Sequence, residues 1–151
     1  MKNLVKKMFT KENLAAIAAA IGDAEKTTEG EIRVSIRQKR RWRERKLSIE
    51  EMARKEFHTL GMVKTKDRIG ILIFLLLQDK QFYLLADEGI HRKVEEGTWK
   101  TIAEEMSHHF SKQDFERGIV HGVLEVGIIL SKHFPAKKGD KNELPNEVHL
   151  Q

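Results

Sequence analysis

The feature that most constrains this chain is the stretch Ile69 to Leu77, nine residues without a polar side chain. A helix needs about 20 apolar residues to span a bilayer, so a run this short belongs in a protein core. Its length suits a strand. Its lack of alternation means that both faces of that strand must be covered. Three polar residues, Gln78 to Lys80, separate it from a second apolar run, Gln81 to Ala86, which contains Phe82 and Tyr83. So short a connection predicts an antiparallel hairpin.

The segments that can cover those faces lie on either side in the chain. Thr10 reads as a helix N-cap. Leu14, Ile17, Ala18 and Ile21 follow it at the spacing of one apolar stripe, and this helix ends within Lys26 to Gly30. Glu31 to Arg37 alternates, with Ile32, Val34 and Ile36 to one side and Arg33, Ser35 and Arg37 to the other, the pattern of a half-buried strand. Ser48 and Glu51 form a capping box that opens a helix with Met52, Ala53, Phe57 and Leu60 inward and Gly61 just past its end. After Asp87-Glu88-Gly89, a helix starting near Thr98 carries Ile102, Met106 and Phe110. A last helix from Asp114 carries Phe115, Ile119, Val123 and Leu130 and stops at Phe134-Pro135. The order α-β-α-β-β-α-α predicts a three-layer α/β/α sandwich around a small mixed β-sheet. Residues 1–135 form one domain, and residues 136–151 a polar C-terminal tail in which Leu144-Pro145 can dock.

Charge is the second informative property. The formal net charge is +5, yet seven cations and one acid, Glu44, lie between Arg37 and Lys46. That ten-residue segment therefore holds +6, and the remaining chain sits near −1. The basicity belongs to one solvated loop and not to a polycationic body. The chain has no cysteine, which excludes a disulfide framework and thiolate chemistry and suits a reducing compartment. Met1 to Phe9 lacks the apolar core of a signal peptide. With no membrane-spanning run either, the expected location is the cytoplasm.

Several stretches resemble the TPM-domain family. Thr28-Glu29-Gly30-Glu31-Ile32 is similar to the approach to its first strand, and Thr65 to Phe74 to its central strand with the preceding turn. Leu84 to Ile90 is similar to the strand end and glycine turn, Trp99 to an aromatic at the start of the next helix, and Asp140 to Val148 to a closing segment of the short bacterial branch. The resemblance implies an α/β/α sandwich. It also implies two activities described within the family, weak acid phosphatase activity and calcium binding in an acidic cleft near the strand ends. The acidic turn that the envelope branch carries ahead of the first helix is replaced here by Lys6-Lys7-Met8-Phe9-Thr10.

On these grounds Ca2+ is the candidate cofactor, with Asp67, Asp87, Glu88 and Glu31 as candidate ligands because each lies at a predicted strand end. Calcium takes six to eight oxygen ligands, of which these acids would supply part. The alternative is that Asp87 and Glu88 are turn residues and Asp67 caps a turn. Arg68 can hold a phosphate or pair with a neighbouring carboxylate. The histidines show no His-Glu-x-x-His spacing, and His121 and His133 on the last helix have no histidine partner one turn away. A nucleophile elbow and a phosphate-loop glycine pattern are both missing from the sequence, so any phosphatase activity would be metal-assisted. Arg40, Arg41, Trp42, Arg43 and Arg45 are the candidate polyanion contacts, with the cations neutralising phosphates and the indole stacking on a base or resting at an anionic surface. Three functions follow: a TPM-type binding module for a protein partner, with a weak cation site; a metal-dependent acid-phosphatase-like hydrolase; or a polyanion-binding adaptor working through residues 37–46.

Overall fold

The computed structural model describes residues 4–137 and 148–151; most of the family-like closing segment, residues 140–147, lies outside them. The chain folds as α1 (Leu4–Met8), α2 (Lys11–Glu25), β1 (Glu31–Arg37), α3 (Ile49–Thr59), β2 (Gly70–Leu76), β3 (Gln81–Ala86), α4 (Glu88–His91), α5 (Glu96–Ser111), α6 (Phe115–His133) and β4 (His149–Leu150). The four strands form one sheet in the order β3-β2-β1-β4. β1 runs parallel to both β2 and β4, and β2 pairs antiparallel with β3. The sheet is therefore mixed, as expected.

β2 is buried along its whole length. Ile71, Ile73 and Leu75 enter one core with Ile32, Val34 and Ile36 of β1 and the inner faces of α2, α5 and α6. Leu72, Phe74 and Leu76 enter a second, smaller core with Met52, Ala53 and Phe57 of α3. The three layers follow directly from this division.

Local signals set the helix starts. The Thr10 side chain accepts from Asn13 N–H while the Asn13 side chain accepts from Thr10 N–H. Ser48 and Glu51 form the same reciprocal pair. Gly61 ends α3 at φ 74°, in the left-handed region. α6 lies close against α5 because Gly122 has no side chain: a Cβ there would stand 2.5 Å from Met106 Sδ. α5 begins at Glu96, two residues before the position that the apolar spacing marks.

The structure differs from the sequence-based expectation at β1. Its polar face is not open to solvent, because α3 and the basic loop cover it. Two of its three polar side chains meet a partner at close range. Ser35 Oγ donates to Glu56 Oε2 at 2.5 Å, and Arg37 pairs with Glu44. Alternation reports which residues are apolar, and a polar face can be buried when a carboxylate waits opposite it. The short elements α1, α4 and β4 are also additions to the expected order. β4 is held by Gln151 N–H donating to the Ile36 carbonyl, and by the Gln151 side chain donating to both Glu56 oxygens at 2.8 and 3.0 Å.

Ile71 is fully buried in the larger core. Ile71→Ala is expected to lower stability by about 2–5 kcal/mol. Ile128→Ala, at a side chain that is 62% exposed on α6, should change it by less than about 0.5 kcal/mol. Denaturant melts of the two variants check the layer assignment, and equal losses would contradict it.

Candidate functional site

The candidate side chains gather at the two ends of the sheet. At the amino ends of the parallel strands, Glu31 opens β1 beside Gly70, the first residue of β2. Asp87 follows β3 and donates its N–H to the Gly70 carbonyl at 2.9 Å. Asp87 is buried and caps α4, accepting from Glu88 N–H at 2.8 Å. Arg68 binds Asp87 bidentately, Nε to Oδ2 at 2.7 Å and Nη2 to Oδ1 at 2.9 Å. That pair raises the Arg68 pKa further, first through the hydrogen bond and then through the charge of Asp87. Glu88 pairs with Arg92 one turn on. Arg68 is thus an ion-pairing residue here, and Asp87 a cap.

The turn that brings Arg68 to Asp87 is unusual. Asp67 and Arg68 both have φ of 59°, left-handed values that non-glycine residues seldom adopt. Gly89 makes room for them, since a Cβ at that position would collide with the Asp67 and Arg68 carbonyls. Asp67 itself is exposed.

Glu31 is engaged elsewhere. Burial and the neighbouring Glu31 charge push the Glu25 carboxyl up to about 8, against the opposing effect of the Ile32 N–H, which donates to Glu25 Oε2 at 2.7 Å. Glu31 therefore belongs to a carboxyl–carboxyl pair with Glu25, a residue that sequence reasoning passed over because nothing in the spacing brings the end of a helix back onto a strand start.

The opposite end of the sheet is basic. Arg37 closes β1, and the segment after it folds around one buried acid. Glu44, fully shielded from solvent, accepts from the Arg37 guanidinium, from Arg41 N–H at 2.8 Å and from Lys55 Nζ at 2.9 Å. Burial alone would raise its pKa, but these donors together hold it at about 2. Arg40 is equally tied down, to Asp79 at 2.6 Å and to the carbonyls of Glu44 and Leu47. The segment is a built loop with a short 3-10 turn, Trp42–Glu44, at its tip.

What remains available is a subset of the basic residues. Among the described residues, Lys39, Arg43 and Lys46 are exposed and make no ion pair. Trp42 is 76% exposed, and the Arg45 guanidinium lies 3.9 Å over its ring. Arg37, Gln38, Lys39, Arg40, Arg41 and Trp42 line a crevice of about 430 Å³ together with Gln151, whose Oε1 accepts from Arg41 Nη2 at 3.2 Å. This crevice lies at the carboxyl ends of β1 and β4. From β1 the chain crosses to β2 on one side, while β4 flanks the other.

Fold and sites together define a small α/β/α sandwich with an acidic, ion-paired end and a basic, open end. The chain belongs to the TPM-domain family: the TPM domain matches residues 5–128. It is 36% identical to the BA42 protein of the psychrophilic bacterium Bizionia argentinensis, over 95% of each chain and with a TM-score of 0.86. The fold is shared by the N-terminal domain of a P. gingivalis protein, at 18% identity and a TM-score of 0.68, covering 84% of this chain and 79% of that one. It is shared also by the N-terminal domain of cg2496 from Corynebacterium glutamicum, at 12% identity and a TM-score of 0.63, covering 89% and 81%. No curated protein matches. No helix among the described residues is long and apolar enough to cross a membrane.

The raised pKa of Glu25 has a testable consequence. The folded chain holds a proton there up to about pH 8, whereas the unfolded chain releases it near 4.5. The folded state binds more protons across that window, so this contribution is complete below the lower value and is lost as pH rises through the upper one. Glu25→Gln keeps an acceptor for Ile32 N–H and removes the titration. Its urea midpoint should match the parent at about pH 5 and exceed it at about pH 9. Parallel midpoints at both pH values would show that Glu25 titrates normally.

Proposed function

We propose that this chain is a non-catalytic, cytoplasmic TPM-type binding module that takes a polyanionic, phosphate-bearing ligand at the crevice between β1 and β4. One observation carries the proposal. Lys39 and the exposed Trp42 line a concavity at the carboxyl ends of the parallel strands β1 and β4, and the exposed Arg43 and Lys46 lie on the same loop. Open α/β sheets bind ligands outside the carboxyl ends of their strands. Cations there neutralise phosphate charge, and an exposed indole gives a base a surface to stack on. Arg37 and Arg40 act from within, since their guanidinium groups hold the loop in shape. Arg41, on the crevice lining, and Arg45, further along the same loop, are both exposed.

A second location is supported by the strained turn at Asp67-Arg68. Backbone strain of this kind gathers at ligand clamps, and the exposed Asp67 carboxylate would be the first donor to a weakly held Ca2+. The Arg68–Asp87 ion pair competes with the cation for both Asp87 oxygens. Arg68→Gln should therefore strengthen calcium binding, and amide chemical shifts followed through a calcium titration measure this; weaker or unchanged binding would remove Asp87 from the ligand set. A metal-assisted phosphatase would use the same acids and would need the same ion pair to open. Phosphate release from a generic ester that rises with calcium and is lost in Asp67→Asn is the result that would favour it.

The test of the polyanion reading is fluorescence anisotropy with a labelled single-stranded oligonucleotide at two salt concentrations. If about four phosphates are neutralised, the logarithmic salt slope is expected near −3. Replacing Lys39, Arg43 and Lys46 with Gln should abolish binding and leave the fold intact. Trp42→Ala should weaken it by about 1–3 kcal/mol. Binding that is absent at low salt, or retained by the triple variant, contradicts the proposal.

A further inference from the structure

A different cluster lies across the α5–α6 interface, away from both ends of the sheet. Glu105 on α5 and His121 and Glu125 on α6 each present a ligand atom, and the three atoms lie within 4.8 Å of one another. Among the described residues this is the one such group. Its geometry follows from helix packing. Gly122 lets α6 approach α5 closely at Met106, which sets the neighbouring positions Glu105 and His121 face to face. Each helix then offers a pair one turn apart, Glu105 with His109 and His121 with Glu125. The His109 and His121 ring centroids are 5.5 Å apart.

His121 Nε2 is the telling atom. It is shielded from solvent and lies 3.3 Å from Glu105 Oε1, yet it makes no hydrogen bond of adequate geometry. A buried imidazole nitrogen without a hydrogen bond is a destabilising arrangement unless something else satisfies it. The spacing fits a shared cation. With metal–nitrogen and metal–oxygen bonds of about 2.0–2.2 Å, two corners of a tetrahedron stand about 3.3–3.6 Å apart.

We propose that Glu105, His121 and Glu125 form a binding site for a divalent transition-metal ion of the zinc class. His109 supplies the fourth ligand by turning its ring, or water does. A nitrogen donor beside two carboxylates suits such ions, whereas calcium takes a larger, all-oxygen shell. Glu105 is exposed and the other two side chains are half-buried, so the ion enters from solvent and is held with micromolar affinity. Once bound, it ties α5 to α6 and raises the melting temperature progressively as free metal rises above the dissociation constant. The site is independent of the polyanion crevice and of the Asp67 turn.

Calorimetric titration of the full chain with zinc chloride tests this, with amide chemical shifts to locate the ion. The expected result is one saturable zinc site, with shifts centred on residues 105–109 and 121–125. His121→Gln and Glu125→Gln should each weaken binding by about 10–100-fold, with unchanged far-UV circular dichroism. His58→Gln, at an exposed histidine on α3, should bind as the parent does. Two results would overturn the proposal: no saturable binding at about millimolar zinc, or binding that both site variants retain. Either would leave Glu105 and His121 as a plain side-chain contact.

Discussion

The whole arrangement depends on β2 having no polar face. A strand with Ile71, Ile73 and Leu75 on one side and Leu72, Phe74 and Leu76 on the other cannot sit at a surface. It obliges the chain to supply apolar cover twice, and the two cores are the two answers. β1 is then drawn into the middle of the sheet beside it, although only one of its faces is apolar. The other face has to be compensated by charge, and Glu56 and Glu44 perform that role. An uncompensated Arg37 in that position would be strongly destabilising.

This compensation shapes the surface as much as the interior. Glu44 lies in the segment that carries most of the chain's excess positive charge, and it organises that segment by accepting from Arg37, Arg41 and Lys55 at once. The loop is consequently a framework that presents a few free cations and Trp42, with the other basic residues spent on internal contacts. Gln151 completes it by reaching both Glu56 and Arg41. Core polarity and the open crevice are therefore two aspects of one network.

How much of this was legible in the sequence depended on distance along the chain. The helix caps at Thr10 and Ser48, the hairpin between β2 and β3, and the glycine end of α3 are local, and each could be read from a few residues. The mixed three-layer sandwich followed from the order of elements and the double-faced β2. Side-chain pairings between elements were hidden. Glu25 with Glu31, Arg37 with Glu44 and Glu105 with His121 join residues whose types signal nothing until the backbone places them together. β4 was hidden for another reason, since His149-Leu150 is too short to show a period and is recognised only by its pairing with Ser35 and Ile36. The candidate acids were found at strand ends, as the pattern suggested. The pattern did not reveal that these are the amino ends of the parallel pair, with the basic segment at the carboxyl ends, where parallel sheets take their ligands.

The most direct measurement is amide chemical-shift mapping of the intact chain during titration with a short phosphate-bearing oligomer at low ionic strength. Shifts concentrated in residues 37–46 and at Gln151 are expected, with the Asp67 turn and α4 unaffected. Shifts centred on residues 67–92, or spread evenly over every exposed lysine and arginine, would contradict the polyanion reading.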